Sequence, residues 1–220
     1  MNITVISPPP FEPVTLTEVY RHLRLTPDHA GSPGEETHPD DAMLSSHITT
    51  AREYVETAAR LSLVQQTIRL SCGAFPRYCY GWWPAFRANM VERVMLRRPP
   101  LIRVERVSYF DGENVERTVA AASYFVTDEQ VPELRFVSAF ATPTTYDRTD
   151  ALRVEYVAGY ATGGSPATTQ EEYAANVPQT LKNAILLGVQ LLYDNLAPAD
   201  REAVEKMREH MIQTKRIQHV

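Results

Sequence analysis

Cysteine, lysine and long apolar runs are all scarce in this chain. Two of its 220 residues are cysteine. Cys72 and Cys79 have aromatic residues between them, a spacing that fits neither a C-x-x-C redox motif nor a zinc half-site, so two partly buried free thiols are expected. No apolar stretch reaches the roughly 18 residues that a membrane span needs. The opening MNITVISPPP has neither the basic start nor the long apolar core of a signal peptide, which points to a cytosolic product. A basic excess is missing too. The formal net charge is −5, which argues against broad affinity for nucleic acid.

The sequence also lacks the patterns that carry catalysis. There is no G-x-S-x-G elbow and no Walker-type loop. The glycines of ATGGSP follow a strand-like run without directly opening a helix, so they form no phosphate cradle. The histidines (His22, His29, His38, His47, His210, His219) are scattered, and none makes H-E-x-x-H or another close metal pairing. Asp111 is accounted for by a turn, Asp128 and Glu129 by a strand end, and Glu155 alternates with apolar neighbours and so faces outward. The expectation is a protein that is not an enzyme and holds no metal or cofactor.

What is present is helix at both ends and strand between. VTLTEVYRHLRL has Thr15 and Glu18 in capping-box spacing, with Leu16, Val19 and Leu23 on one face. A Pro/Gly/acid loop follows. Pro39 then fits the first turn of a second helix running to about Arg60, striped by Met43, Leu44, Ile48, Ala51, Val55 and Ala58. From Leu63 the pattern alternates in LVQQTIRLSC, VERVML and LIRVERVSYF. Asp111-Gly112 reads as a hairpin turn into NVERTV, and SYFVT, ELRFV and ALRVEYVAGY follow as short strands. Past the loop ATGGSPATTQEE, Pro178 starts a helix with Leu181, Ala184, Ile185, Gly188, Val189, Leu192 and Tyr193 at helical spacing. In the last segment apolar positions are sparse (Val204, Met207, Met211, Ile212, Ile217), so it needs a partner surface, its own body or another chain. The fold class is α+β: a helical bundle from both chain ends with an inserted antiparallel β module, sandwich or barrel-like. The divisions fall at 1–62, 63–160 and 161–220, the last packing on the N-terminal helices.

Two compositional features stand out. Arg87 to Arg106 contains six arginines against Glu92 and Glu105, whereas Asp28 to Asp41 holds five acids and no base. Arginine forks onto carboxylates and is weakly hydrated, so these side chains suit either solvated strand faces or interface pairs. FPRYCYGWWPAF packs Phe75, Tyr78, Tyr80, Trp82, Trp83 and Phe86 together. Such a run serves as core packing, as a subunit contact, or as a stacking platform for sugar or single-stranded nucleic acid.

Four pieces, in order, resemble a known family. They are VTLTEVYRHLRL; ITTAREYVETAARLSLVQQTIRL; LRRPPLIRVERVSYFDGEN; and LRVEYVAGY followed by VPQTLKNAILLGVQLLYDN. Together they span about Val14 to Asn195 and resemble the head–tail connector (adaptor) proteins, gp6-like and gp8-like, of tailed bacteriophages and gene transfer particles. The chain differs where the family often has proline in place of Arg97, and in a longer loop from Thr26 to Pro39.

The resemblance implies a structural virion protein. It would form a ring, typically of twelve copies, beneath the portal, extend the DNA channel without sequence-specific binding, and join head to tail through a head-completion or tail protein. It would be assembled in the host cytoplasm, without a membrane. Arg93, Arg97, Arg98, Arg103 and Arg106, with Trp82 and Trp83, are then the expected subunit contacts. Val204, Met207, Met211 and Ile212 are the expected portal-docking face. The rival reading is a binding module for carbohydrate or single-stranded nucleic acid built on Tyr80, Trp82 and Trp83.

Overall fold

The computed structural model describes residues 2–29, 36–75, 77–78, 91–160 and 169–217. Its chain divides into two compact units, the first of Met1–Pro8 with Gln65–Gly159 and the second of Pro9–Val64 with Tyr160–Val220. The fold is α+β.

The first unit is a sandwich of two antiparallel sheets. The larger runs β1 (Asn2–Ser7), β4 (Gln66–Cys72), β11 (Leu152–Ala158), β7 (Leu101–Phe110), β8 (Glu116–Thr118); the smaller runs β5 (Arg77–Tyr78), β6 (Val91–Met95), β10 (Glu133–Phe136), β9 (Tyr124–Val126). β4 alternates buried and half-buried along its whole length, so Ile68, Leu70 and Cys72 point into a shared core while Thr67, Arg69 and Ser71 point out. Val107, Leu152, Val154 and Tyr156 join that core from the same sheet, and Val94, Leu96, Leu134 and Phe136 from the other. Phe75 packs against Phe136, Phe140 and Tyr109 at ring-centroid distances of 5.4, 5.7 and 5.6 Å. The first ring of the aromatic run is therefore core.

Two local outcomes depart from the sequence reading. Residues 1–62 are expected to be helical, yet Asn2–Ser7 is a strand paired antiparallel with β4. Its pattern is short, ends at three prolines and has no neighbour in sequence to pair with, so its partner lies about sixty residues away. The Asp111-Gly112 turn is also longer than two residues. The Asp111 N–H donates to the Val115 carbonyl at 3.0 Å, and the left-handed residue is Asn114, at φ 62°. The Asp111 carboxylate closes the turn by accepting from the Glu113 and Val115 N–H groups.

The second unit is built from helices of both chain ends: α1 (Leu16–Leu23), α2 (Asp41–Ala59), α3 (Gln170–Ala175), α4 (Gln179–Tyr193) and α5 (Pro198–Gln213). Thr15 and Glu18 form the capping box of α1, and Thr169 with Glu172 forms a second one that opens α3. α2 begins one turn position later than expected, with Pro39 outside it and Asp40 at the N-cap. Its buried stripe is Leu44, Ile48, Ala51, Val55 and Ala59; Met43 is exposed. At Gly188 of α4, a Cβ would lie 2.9 Å from Ala51 Cβ, so the glycine is what lets α4 approach α2. A short ladder, β2 (Asp28–His29) with β3 (Glu36–Thr37), precedes α2.

A buried ionic group ties this unit together. Arg52 donates from Nε to Glu12 at 2.7 Å and from Nη1 to Glu56 at 2.9 Å. Glu56, 2% exposed, also accepts the Leu63 N–H at 2.8 Å. Burial works against the Arg52 charge, but Glu56 and Glu12 outweigh it and hold the guanidinium pKa above its ordinary value.

Candidate interaction surfaces

The first unit carries twelve arginines, no lysine and eleven acids, a formal net charge of +1. The second carries ten basic residues against sixteen acids, a net of −6. All three lysines lie in the second unit.

On the outer face of the larger sheet, Glu155 stands in register between Arg69 on β4 and Arg106 on β7, and Arg69 binds it at 2.6 Å. Arg106 turns to Glu116 at 3.5 Å, and Arg103 to Glu105 at 2.6 Å. Strict alternation would send Arg103 and Arg106 to opposite faces. A register shift between Glu155 and Tyr156 leaves Glu105 without a partner on β11, and this bulge brings both arginines to the same outer face. Beside them, the Arg148 and Arg153 guanidiniums lie 3.7 and 4.6 Å from the centre of the Phe110 ring. Asp150 accepts from both, and hydrogen bonds from Arg148 and then Arg153 bring its pKa down to about 2.

The smaller sheet's outer face is organised by Glu133, which is only 5% exposed. Arg93 on β6 and Arg135 on β10 are directly opposite one another, a repulsive pairing in isolation. Glu133 resolves it by accepting from Arg93 at 2.7 Å and from Arg135 at 2.9 and 2.8 Å. Phe125, opposite Arg135 on β9, is exposed.

The expected contact residues therefore separate. Arg93 belongs to the outer face of one sheet, Arg103 and Arg106 to that of the other, and all three are held in ion pairs within the chain. Arg97 and Arg98 lie in the turn between β6 and β7 and make no ion pair among the described residues. Arg98 has φ 61°, and the Arg97 carbonyl accepts the buried Tyr156 hydroxyl at 2.6 Å. Tyr80, Trp82 and Trp83 lie outside the described residues; β5 and β6 pair immediately on either side of that segment.

The expected docking face of the last helix also changes. Ile212 is fully buried in the second unit, and Ile217 donates its N–H to the Ala59 carbonyl at 3.0 Å. Arg208 lies over the Tyr54 ring. Ile212 thus leaves the docking candidates, because its side chain is spent on the chain's own core. Val204 and Met211 are half-buried, and Met207 is 55% exposed. Sequence reasoning missed the Glu133 and Arg52 networks altogether. Their members are 40 residues apart in the case of Arg93 with Glu133 and of Arg52 with Glu12, beyond any local pattern.

Among the described residues no group of three or more His, Cys, Asp or Glu side chains is placed to hold a metal ion, and no helix is long and apolar enough to cross a membrane. No protein-family profile and no curated protein matches the sequence. In fold, the chain is similar over its full length to solved chains of gene transfer agent (GTA) particles. One comes from the virion of a native GTA particle (TM-score 0.66, 19% identity, 97% of that chain covered). Another comes from the neck of an empty particle computed with C6 symmetry (0.66, 20%, 98%), and a third from the neck of a native particle computed with C12 symmetry (0.63, 19%, 97%).

Proposed function

We propose that this protein is a non-enzymatic component of the neck of a phage-like particle, a head–tail connector that assembles as a ring beneath the portal and carries the DNA channel onward. The observation that supports this most directly is the end-to-end likeness in fold to chains of GTA necks, with both proteins covered almost completely. The C6 and C12 symmetries of those necks favour a closed rotational ring. Such a ring is made of heterologous contacts in which two different patches of one surface meet.

Charge supplies the patches. Arg97 and Arg98 of one copy would seat against the acidic second unit of the next, giving the register that bidentate arginine–carboxylate pairs provide. Arg93, Arg103 and Arg106 act one step back, holding the sandwich that presents the turn. Portal attachment falls to the exposed Met207 with Val204 and Met211 beside it, and a head-completion or tail protein occupies the opposite end.

Electron microscopy and light scattering of the chain with purified portal test the reading. Rings bound to the portal are expected. A chain that stays monomeric and never binds portal under any assembly condition overturns it.

A further inference from the structure

Among the described residues the two sheets of the first unit end in four edges: β1 and β8, β5 and β9. β8 and β9 are three residues long, and β8 adds Glu116 and Arg117; two residues of β5 are described. β1 is different. Its six residues, NITVIS, carry no charge and no proline, and five of the six are exposed, including Val5 and Ile6. An edge strand presents unpaired backbone N–H and C=O groups, and proteins blunt such edges with charge, proline, bulges or shortness. The one such device on β1 is the register shift between Val5 and Ser7, which leaves Asn2 to Val5 in regular pairing with Ser71 to Ile68.

We infer that β1 is a strand-addition site, and that its occupant is an extended segment of a different protein in the assembly. The sheet dictates the chemistry of that segment. One set of its side chains continues the row of Asn2 and Thr4 beside Ser71 and Arg69; the other continues the row of Ile3 and Val5 beside Leu70 and Ile68. An uncharged strand alternating small polar and β-branched residues satisfies both rows.

The choice of occupant rests on the ring reading above. A rotational neighbour would have to offer another edge, and β8 and β9 are too short to match Asn2 to Val5. Pairing of β1 with β1 is a two-fold contact that ends at two copies. Four strand positions also bury far less than the roughly 1,200 Å² of the smallest stable interfaces. The segment must therefore be tethered by a protein already bound nearby, which raises its local concentration to about millimolar.

The test uses the isotope-labelled full chain and a capped Thr-Val-Thr-Val-Thr peptide at millimolar concentration. Saturable NMR shifts and slowed exchange at the Asn2 to Val5 amides are expected. Neighbouring strand residues aim their N–H groups to opposite sides, so one of Thr4→Pro and Val5→Pro deletes only an edge donor. That variant, recognised by unshifted Leu70 and Val154 signals, must lose peptide binding. Thr4→Lys, at an exposed position, must weaken it while leaving the fold intact. Unchanged β1 amides, or equal binding by all the variants, overturn the site. Concentration-dependent protection of the same amides in the chain alone gives the edge to a second copy and overturns the choice of occupant. Portal binding is measured separately, so the strand site and the ring can fail independently.

Discussion

Removing the Arg52 side chain should damage the second unit through charge more than through packing. Arg52 sits between Glu12 and Glu56, and Glu56 is almost wholly buried. Arg52→Met keeps most of the volume but takes the guanidinium away from a carboxylate that is almost wholly buried. Breaking a buried pair from one side costs about 3–5 kcal/mol. Glu12, which is partly exposed, turns to solvent and adds little. At 1.36 kcal/mol per decade, opening of the unit becomes about two to four decades easier. Arg52→Met/Glu56→Gln should recover most of the loss, because the glutamine oxygen still accepts the Leu63 N–H while the buried negative charge is gone. The readout is hydrogen exchange at amides of α2 and α4, since two units need not unfold as one.

The pH dependence separates the causes. In the Arg52→Met variant Glu56 has lost its cation, and burial disfavours its charged form. The deficit should therefore be larger at neutral pH, where the carboxylate is charged, than in acid, where it is neutral. The double variant has no such dependence. Single and double variants that are equally unstable, with flat pH profiles, would refute the electrostatic account and leave the lost packing of the arginine stem as the cause.

Gly188→Ala should cost about 1–3 kcal/mol by forcing α2 and α4 apart, and Ala51→Gly in the same chain should restore the melting temperature, because the 2.9 Å clash is with the Ala51 methyl. Asp150 should titrate near 2 by carbon-detected NMR, held low by Arg148 and Arg153; its stabilisation is present above the unfolded carboxylate value and is lost as pH falls through about 2, so Asp150→Asn should cost about 1 kcal/mol at pH 7 in urea unfolding and clearly less at pH 2. Ile212→Ala should cost about 2–5 kcal/mol, whereas Met207→Asp should leave the melting temperature unchanged and weaken portal binding by light scattering. Arg97→Glu with Arg98→Glu should abolish ring formation without altering unfolding.

Local patterns carried most of the elements into view. The Thr15–Glu18 capping box, the alternation of Gln66 to Cys72 and the strand Leu101–Phe110 depend on neighbours one to four residues away, and the structure has them where the sequence puts them. The strand Asn2–Ser7 was not legible, because its identity depends on β4 rather than on itself. The facing of the arginines was not legible either. A bulge at Glu105 is decided by how ten residues of β7 fit seven of β11, and nothing in LIRVERVSYF announces it.

That bulge changes what an arginine-rich strand means. A sandwich with one core has two outer faces to solvate, and this chain does so with arginines that, among the described residues, are mostly matched to carboxylates of their own unit: Arg69 to Glu155, Arg93 and Arg135 to Glu133, Arg148 and Arg153 to Asp150. A guanidinium already forked onto a partner has little left to offer a neighbouring copy, and breaking that pair to make another gains nothing net. On the ring reading, specificity between copies then falls to cations with no carboxylate of their own among the described residues. Arg97 and Arg98, fixed in a turn whose carbonyl is anchored by Tyr156, meet that requirement. A double-mutant cycle between Arg97 and acids of the second unit, read across subunits, should give coupling of about 1 kcal/mol or more; the same cycle on Arg103 should give none.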